Sequence, residues 1–161
     1  MKDLVKLKSK EEIKKIISDL RKEKKTIVFT NGCFDLLHPG HIKILKEAKA
    51  KGDVLIVGLN FDSSIKKLKG RFRPILDQKA RLQVLSAISY VDYIILFNEL
   101  TPFKLIKIIK PDYLVKGSDY KEKEIVGREY SKKVIRVSLY KGYSTSKIIE
   151  KIKNEGNIKS N

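Results

Sequence analysis

TNGCFDLLHPGHIKIL, Thr30 to Leu45, holds both histidines of the chain, His38 and His41, together with its one cysteine, Cys33. The run before and into it, TIVFT (Thr26–Thr30), is short, apolar and β-branched, as a buried strand is. Asn31-Gly32 permits a tight turn, and Pro39-Gly40 breaks the chain again. HIKILKEAKAKG then reads as a helix ending near Gly52. The stretch is therefore a strand, a turn and a helix, with His41 in the first helical turn and His38 just ahead of it. Backbone N–H groups at a helix N-terminus point at whatever sits there, and the dipole favours an anion. Two imidazoles beside them make a phosphate cradle.

Two other chemistries compete for the same residues. Cys33, His38 and His41 supply three zinc ligands, but a structural zinc site takes four, so a carboxylate such as Asp35 would have to join them. Cys33 as a nucleophile needs a base and a third, orienting group. Placed directly after a strand, between Gly32 and Phe34, it also reads as a small buried residue.

Further along the chain the same alternation returns. Apolar runs at Asp53–Asn60, Tyr90–Phe97, Asp112–Gly117 and Lys133–Leu139 make a set of five with Thr26–Thr30. Continuous apolar runs of this length suit strands covered on both faces of a parallel sheet. Between them lie amphipathic stretches with start signals. Ser9 and Glu12 form a capping box ahead of Ile13, Ile16, Ile17 and Leu20. Asp77 precedes QKARLQVLSAI, Thr101-Pro102 reads as a cap before a first-turn proline, and Ser144-Thr145 precede SKIIEKIK. The expected fold is α/β, a Rossmann-like three-layer sandwich on a five-stranded parallel sheet with right-handed crossovers. A chain of 161 residues fits one such domain, 1–161, with residues 1–25 as a helical lead-in and 154–161 as a disordered tail.

Apolar residues make up 42% of the chain, ordinary for a globular protein. No apolar run approaches the ~20 residues that span a bilayer. The first residues, MKDLVKLKSKEE, lack the apolar core of a signal peptide, and one cysteine forms no internal disulfide. The expected location is cytoplasmic, with no membrane partner. The net charge of +17 admits a nucleic-acid surface, a lysine-rich solvated surface or a site for small polyanions. Neither basic–aromatic alternation nor zinc-finger spacing supports a specific nucleic-acid partner.

In open α/β sheets ligands sit beyond the carboxyl ends of the strands. After the second strand, NFDSSIKKLKGRFRPI clusters Lys66, Lys67, Lys69, Arg71 and Arg73 in what reads as a basic loop, suited to a triphosphate or merely to solvent. Arg81 follows one turn into the next helix, placed to pair with a carboxylate or to reach a phosphate. Lys116 ends an otherwise apolar strand. After the fifth strand, Gly142 gives a turn, and Ser144, Thr145 and Ser146 open a helix, a second N-terminus suited to phosphate.

The HxGH core, His38-Pro39-Gly40-His41, within TNGCFDLLHPGH resembles the cytidylyltransferase-like nucleotidyltransferases. The order of SIKKLKGRFRPI, QKARLQVLSAISYVDYIILF, TPFKLIKIIKPDYLVKGSDY, EIVG and GYSTSKII resembles one branch of that superfamily, the adenylyltransferase domain of the heptose-phosphate enzymes, over about Ile27 to Ile152. That resemblance implies transfer of AMP from ATP to D-glycero-β-D-manno-heptose 1-phosphate, with magnesium and without a covalent enzyme intermediate. It implies that His38, His41, Lys69 and Arg73 carry the reaction. Asn31, Gly32, Cys33, Phe34, Gly40, Lys116, Gly117, Asp119, Gly142, Ser144 and Thr145 would bind the nucleotide. Asp35, Asp62, Lys66 and Arg81 would serve the substrates, with Asp35 and Asp62 orienting ligands or magnesium waters and no metal ligand assigned. It also implies a stand-alone form served by a separate heptose-phosphate kinase, and a homodimer by analogy. The glycerol-phosphate branch has arginine and threonine where this chain has Leu139 and Tyr140, with Lys141 beside the glycine. That argues against glycerol 3-phosphate with CTP, the alternative substrate pair. Ser146 stands in place of a second threonine.

Overall fold

The computed structural model describes residues 5–138 and 140–155. Its five strands are Ile27–Gly32 (β1), Val54–Asn60 (β2), Tyr93–Phe97 (β3), Tyr113–Gly117 (β4) and Lys133–Val137 (β5); β1 runs on through Asn31-Gly32 past its apolar run, and the other four are the apolar runs with trimmed ends. All pair in parallel, in the order β3-β2-β1-β4-β5. The expected three-layer, Rossmann-like sandwich is what forms. The chain steps from β1 outward to β3, then returns to place β4 on the other side of β1. The order therefore reverses between β1 and β4, the place beyond the strand ends where open α/β sheets bind ligands. The chain leaves β1 at that point, from Cys33 to the histidine pair.

Alternation along each strand divides the apolar side chains between two cores. Val28, Leu55 and Val57 pack with Leu45 and Ala48 of α2 (Pro39–Lys49) and with Leu82 and Leu85 of α4 (Gln78–Ser86). Ile27, Phe29, Ile56 and Leu114 face the other way. They pack with Ile13 of α1 (Lys10–Lys22) and with Leu105, Ile106 and Ile109 of α5 (Phe103–Ile109). Each fully buried side chain of this kind contributes roughly 1.5–3 kcal/mol over an exposed one.

The capping box of α1 forms as read: Ser9 Oγ accepts from Glu12 N (3.1 Å) and the Glu12 carboxylate accepts from Ser9 N (2.7 Å). Ahead of it, the chain runs beside β3, with Lys8 N donating to Ile94 O (2.9 Å) and Ile94 N to Lys6 O (2.8 Å). The far end of α1 is fastened to the segment that leads into β4. There the buried Asp112 accepts from Arg21 Nη1 (2.6 Å), Lys132 Nζ (2.7 Å) and Ile27 N (2.8 Å).

Three readings are corrected. Asp62–Lys69 is a helix, α3, where a basic loop was expected; its N-cap is Phe61, which offers no side-chain cap, and it stops at Gly70 (φ 93°). Thr101 is not a cap, since Pro102 takes that position and α5 starts at Phe103 without a side-chain cap bond. Asn154 and Glu155 close α6 (Thr145–Glu155) rather than open a tail; the rest of that expected tail, 156–161, lies outside the described residues, as does Leu139. No helix among the described residues is long and apolar enough to cross a membrane.

Candidate active site

The β1–α2 turn is tightly folded. Phe34 (φ 47°) and Leu36 (φ 49°) both adopt left-handed backbone, a region costing L-residues of order 1 kcal/mol or more. The turn delivers His38 as the N-cap of α2 and His41 as its third residue. His38 Nδ1 accepts from Gly40 N (3.1 Å), and His41 Nδ1 accepts from His38 N (3.4 Å). The two rings stack with centroids 3.8 Å apart, and Phe34 tilts against His41 at 5.3 Å.

With both Nδ1 atoms accepting, each neutral ring carries its proton on Nε2. Burial pushes the His41 pKa down to about 3, helped by His38 and Lys69, and burial also lowers that of His38. At neutral pH the pair therefore offers two neutral N–H donors at the N-terminus of α2, whose own first amides are taken up by His38. That arrangement stabilises charge on oxygen and does not act as a strong base.

The HxGH spacing has a steric reason. A Cβ on Gly40 would lie 2.9 Å from His38 Cε1 and 3.0 Å from its Nδ1. Gly40→Ala should push the capping imidazole aside and lower kcat by roughly ten- to a hundredfold, while circular dichroism still reports a folded chain. Turnover within twofold of the parent would contradict this account of the glycine.

The cations separate into two kinds. Lys66 and Lys69 are exposed on the last turn of α3. Arg73 is held by Asp35, its Nε donating to Oδ2 at 2.8 Å. Arg81 is 1% exposed. It donates to Cys33 O (2.7 Å), Asn60 O (2.9 Å), Asp62 Oδ1 (2.6 Å) and Leu76 O (3.2 Å). Its fork is spent on the ends of β1 and β2, so the expectation that it serves a substrate is corrected: it braces the floor. Asp35 is corrected likewise. Its side chain is fully buried and accepts from Ile75 N (2.9 Å) and Leu76 N (3.0 Å) besides Arg73. Burial works to raise its pKa, but those three donors outweigh it and hold the carboxyl below the usual range. Asp62 is partly open and accepts from Gln78 N (3.1 Å) as well as Arg81.

On the other side of β1, Lys116 ends β4 and donates to the Asn31 side chain, with its ammonium 5.6 Å from the Tyr120 ring centre. Gly117 follows it, buried, and Asp119 is exposed. Burial lowers the Lys116 pKa to about 8, against the opposing pull of Asp119. A half-buried ammonium with a neutral amide for a partner is set to receive an anion. Below about pH 8 the free protein carries this charge, and above it the charge is lost. Affinity for an anion such as pyrophosphate at this lysine should therefore fall as pH rises through about 8. Lys116→Met should lower it at pH 7 and remove that limb, and Lys116→Arg should keep the charge and delay the fall. A limb unchanged in Lys116→Met would refute the assignment.

After β5, Gly142 (φ 87°) makes the turn. Ser144 caps α6, accepting from Lys147 N (3.2 Å). Thr145 Oγ1 donates to Asp35 O (2.8 Å), so its hydroxyl ties α6 to the β1 turn.

The competing chemistries do not assemble. Burial raises the Cys33 pKa despite Lys69, Arg81 and Arg73 nearby, so the thiol is not activated, and its carbonyl serves Arg81. Among the described residues no three His, Cys, Asp or Glu side chains gather to hold a metal.

Sequence reading missed an open groove of about 550 Å³ beside His38, walled by Leu37, Pro39, Ile42, Lys43, Lys46 and Tyr140. Its volume is in the range of small-molecule sites. His38, Ile42 and Lys46 recur every fourth residue, a helical-face signal that was present in the sequence; Tyr140 joins from a distant loop and left none.

Two histidines stacked at the start of a helix, where the strand order of a parallel sheet reverses, make the setting of a nucleotidyltransferase, and the family comparison gives the same class. The chain belongs to the cytidylyltransferase-like family, whose model matches residues 29–151. It is 52% identical over 145 residues to the bifunctional protein HldE of Helicobacter pylori, covering 90% of this chain and 31% of that one. It is 53% identical over 150 residues to HldE of Campylobacter jejuni subsp. doylei, covering 93% and 32%. The chain thus spans about a third of the length of these relatives. Among solved structures, the lipopolysaccharide core biosynthesis protein of Thermoplasma volcanium is 35% identical with a TM-score of 0.61, over 72% of this chain and 98% of that one. Pantoate-beta-alanine ligase of Francisella tularensis, 19% identical with a TM-score of 0.62 over 87% and 68%, shares the fold.

Proposed function

We propose that the protein transfers AMP from MgATP to D-glycero-β-D-manno-heptose 1-phosphate, giving ADP-heptose and pyrophosphate. The observation that carries this reading is the stacked pair of neutral imidazoles on the N-terminus of α2, where the strand order reverses. The choice of sugar rests on the similarity to the HldE proteins and to the lipopolysaccharide core biosynthesis protein.

In this reading a phosphate oxygen of the sugar attacks the α-phosphorus in line, and the bond to the bridging oxygen of the β-phosphate breaks. The attacking phosphate is already anionic near neutral pH, so no proton has to be removed. That fits a site with two neutral donors and no base. His41 and His38 stabilise the non-bridging oxygens of the transferred group. Lys69 and Arg73, with Lys66, neutralise substrate phosphates. Lys116, Gly117 and Asp119 flank the nucleoside, together with backbone of Asn31 to Phe34. The amides of Ser144 and Thr145 hold the outer phosphates. Magnesium enters on the ATP phosphates as part of the substrate, because the Asp35 and Asp62 carboxylates are already engaged by arginines. The same reading includes a separate kinase that supplies the sugar 1-phosphate, a cytoplasmic setting and a homodimer.

The test is pyrophosphate release from MgATP with and without the heptose 1-phosphate. Release that requires both supports the reading. Release only with CTP and glycerol 3-phosphate would replace it with a cytidylyltransferase.

A further inference from the structure

Asp35 lies where three segments meet. Its fully buried carboxylate receives Arg73 Nε and the amides of Ile75 and Leu76, all from the stretch between α3 and α4. Its own carbonyl receives Thr145 Oγ1 from the start of α6. One residue of the β1–α2 turn, three positions before His38, therefore holds both a cation ahead of α4 and a phosphate-suited helix terminus after β5.

The bonding pattern on Arg73 decides what this does. Its Nε is occupied by Asp35, and the side chain is 12% exposed. The guanidinium plane is thus fixed through its inner nitrogen, and the two outer nitrogens stay available. A guanidinium held in this way meets a phosphate without losing further rotamer freedom. Lysine carries the same charge but has no inner N–H to be held by.

We propose that Asp35 is a positioning residue for phosphoryl transfer: it touches no substrate and acts by locking the Arg73 fork toward the substrate phosphates. The proposal rests on the reading of Arg73 as a phosphate ligand. It makes a sharper claim, that charge at position 73 is insufficient and the Asp35-held orientation is what counts.

The test is a double-mutant cycle on pyrophosphate release with Asp35→Asn, Arg73→Ala and the double variant. Asp35→Asn should lower kcat/KM by roughly 10- to 100-fold in the parent and by less than about threefold on top of Arg73→Ala. Added guanidinium ion should restore part of the activity of Arg73→Ala and none in the double variant. Equal losses from Asp35→Asn in both backgrounds would overturn the proposal and leave Asp35 as a general folding residue.

Should Asp35→Asn fail to fold, Arg73→Lys decides. The proposal expects it to lose about as much as Arg73→Ala, and activity above a third of the parent's would overturn it. A parent-like Arg73→Ala would instead sink the reading of Arg73 as a phosphate ligand. If the parent releases no pyrophosphate with any acceptor, the assigned reaction fails, and the same cycle is then read from calorimetric titration with pyrophosphate.

Discussion

Replacing His41 with alanine is expected to lower kcat by roughly 10²–10³-fold, the loss seen when one preorganised donor to a developing oxyanion is removed. The KM for MgATP should move only a few-fold, because the donor counts most in the transition state. His41→Gln should recover part of the loss, since its amide nitrogen can stand in for Nε2–H. The pH profile separates this role from a charged one. Burial lowers the His41 pKa to about 3, so that ring is neutral throughout the usual histidine range, and burial lowers that of His38 as well. An imidazolium requirement would make activity fall through the usual histidine range. The present geometry instead expects no limb from His41 in that range, once the acceptor phosphate's own titration is allowed for. Near-parent turnover in His41→Ala would remove this residue from the chemistry.

The second large effect is on stability. Arg81→Ala should destabilise the fold by about 3–5 kcal/mol, the usual range for breaking a buried charge pair from one side. Asp62 would lose its counter-ion, and the carbonyls of Cys33 and Asn60 would lose their donor. The melting temperature should drop by roughly 10 °C or more. Arg81→Lys should fall between, because one ammonium cannot reach acceptors on both strand ends and the α4 approach. A melting temperature within about 2 °C of the parent in Arg81→Ala would show that the floor does not depend on this brace.

Arg81 also marks where sequence reading stopped. The five strands were legible because runs such as VLIVGLN have one interpretation at that length, and the α1 start was legible because Ser9 and Glu12 satisfy each other locally. The histidine pair was legible because Pro39-Gly40 broke the chain between strand and helix. α3 was not, since its eight residues carry no capping side chain and half of them are charged. The roles of Asp35 and Arg81 were hidden for a different reason. Their partners lie 38 and 48 positions away, brought together only by the order of the strands. A buried ion pair and a substrate contact ask for the same residue types, so composition at the strand ends could not separate them. The exposed Lys69 and the half-buried Arg73 kept positions compatible with a ligand, and the deeper Arg81 did not.

The short segment before α1, lying along β3, bears on how this protein behaves in concentrated solution. A parallel sheet has two margins, each a row of backbone groups able to recruit another chain. At β5 the margin is guarded by charge, with Lys133 and Arg136 exposed. At β3 the strand is YIILF, with no charge to discourage a neighbour, and Lys6 to Lys8 occupy its bonding groups at Ile94 instead. Trimming the chain to the start of α1 would strip that seal from an adhesive border while leaving the histidine turn untouched. Whether the protein stays dispersed is in this sense decided at the opposite margin of the molecule from the one that guards itself with lysine.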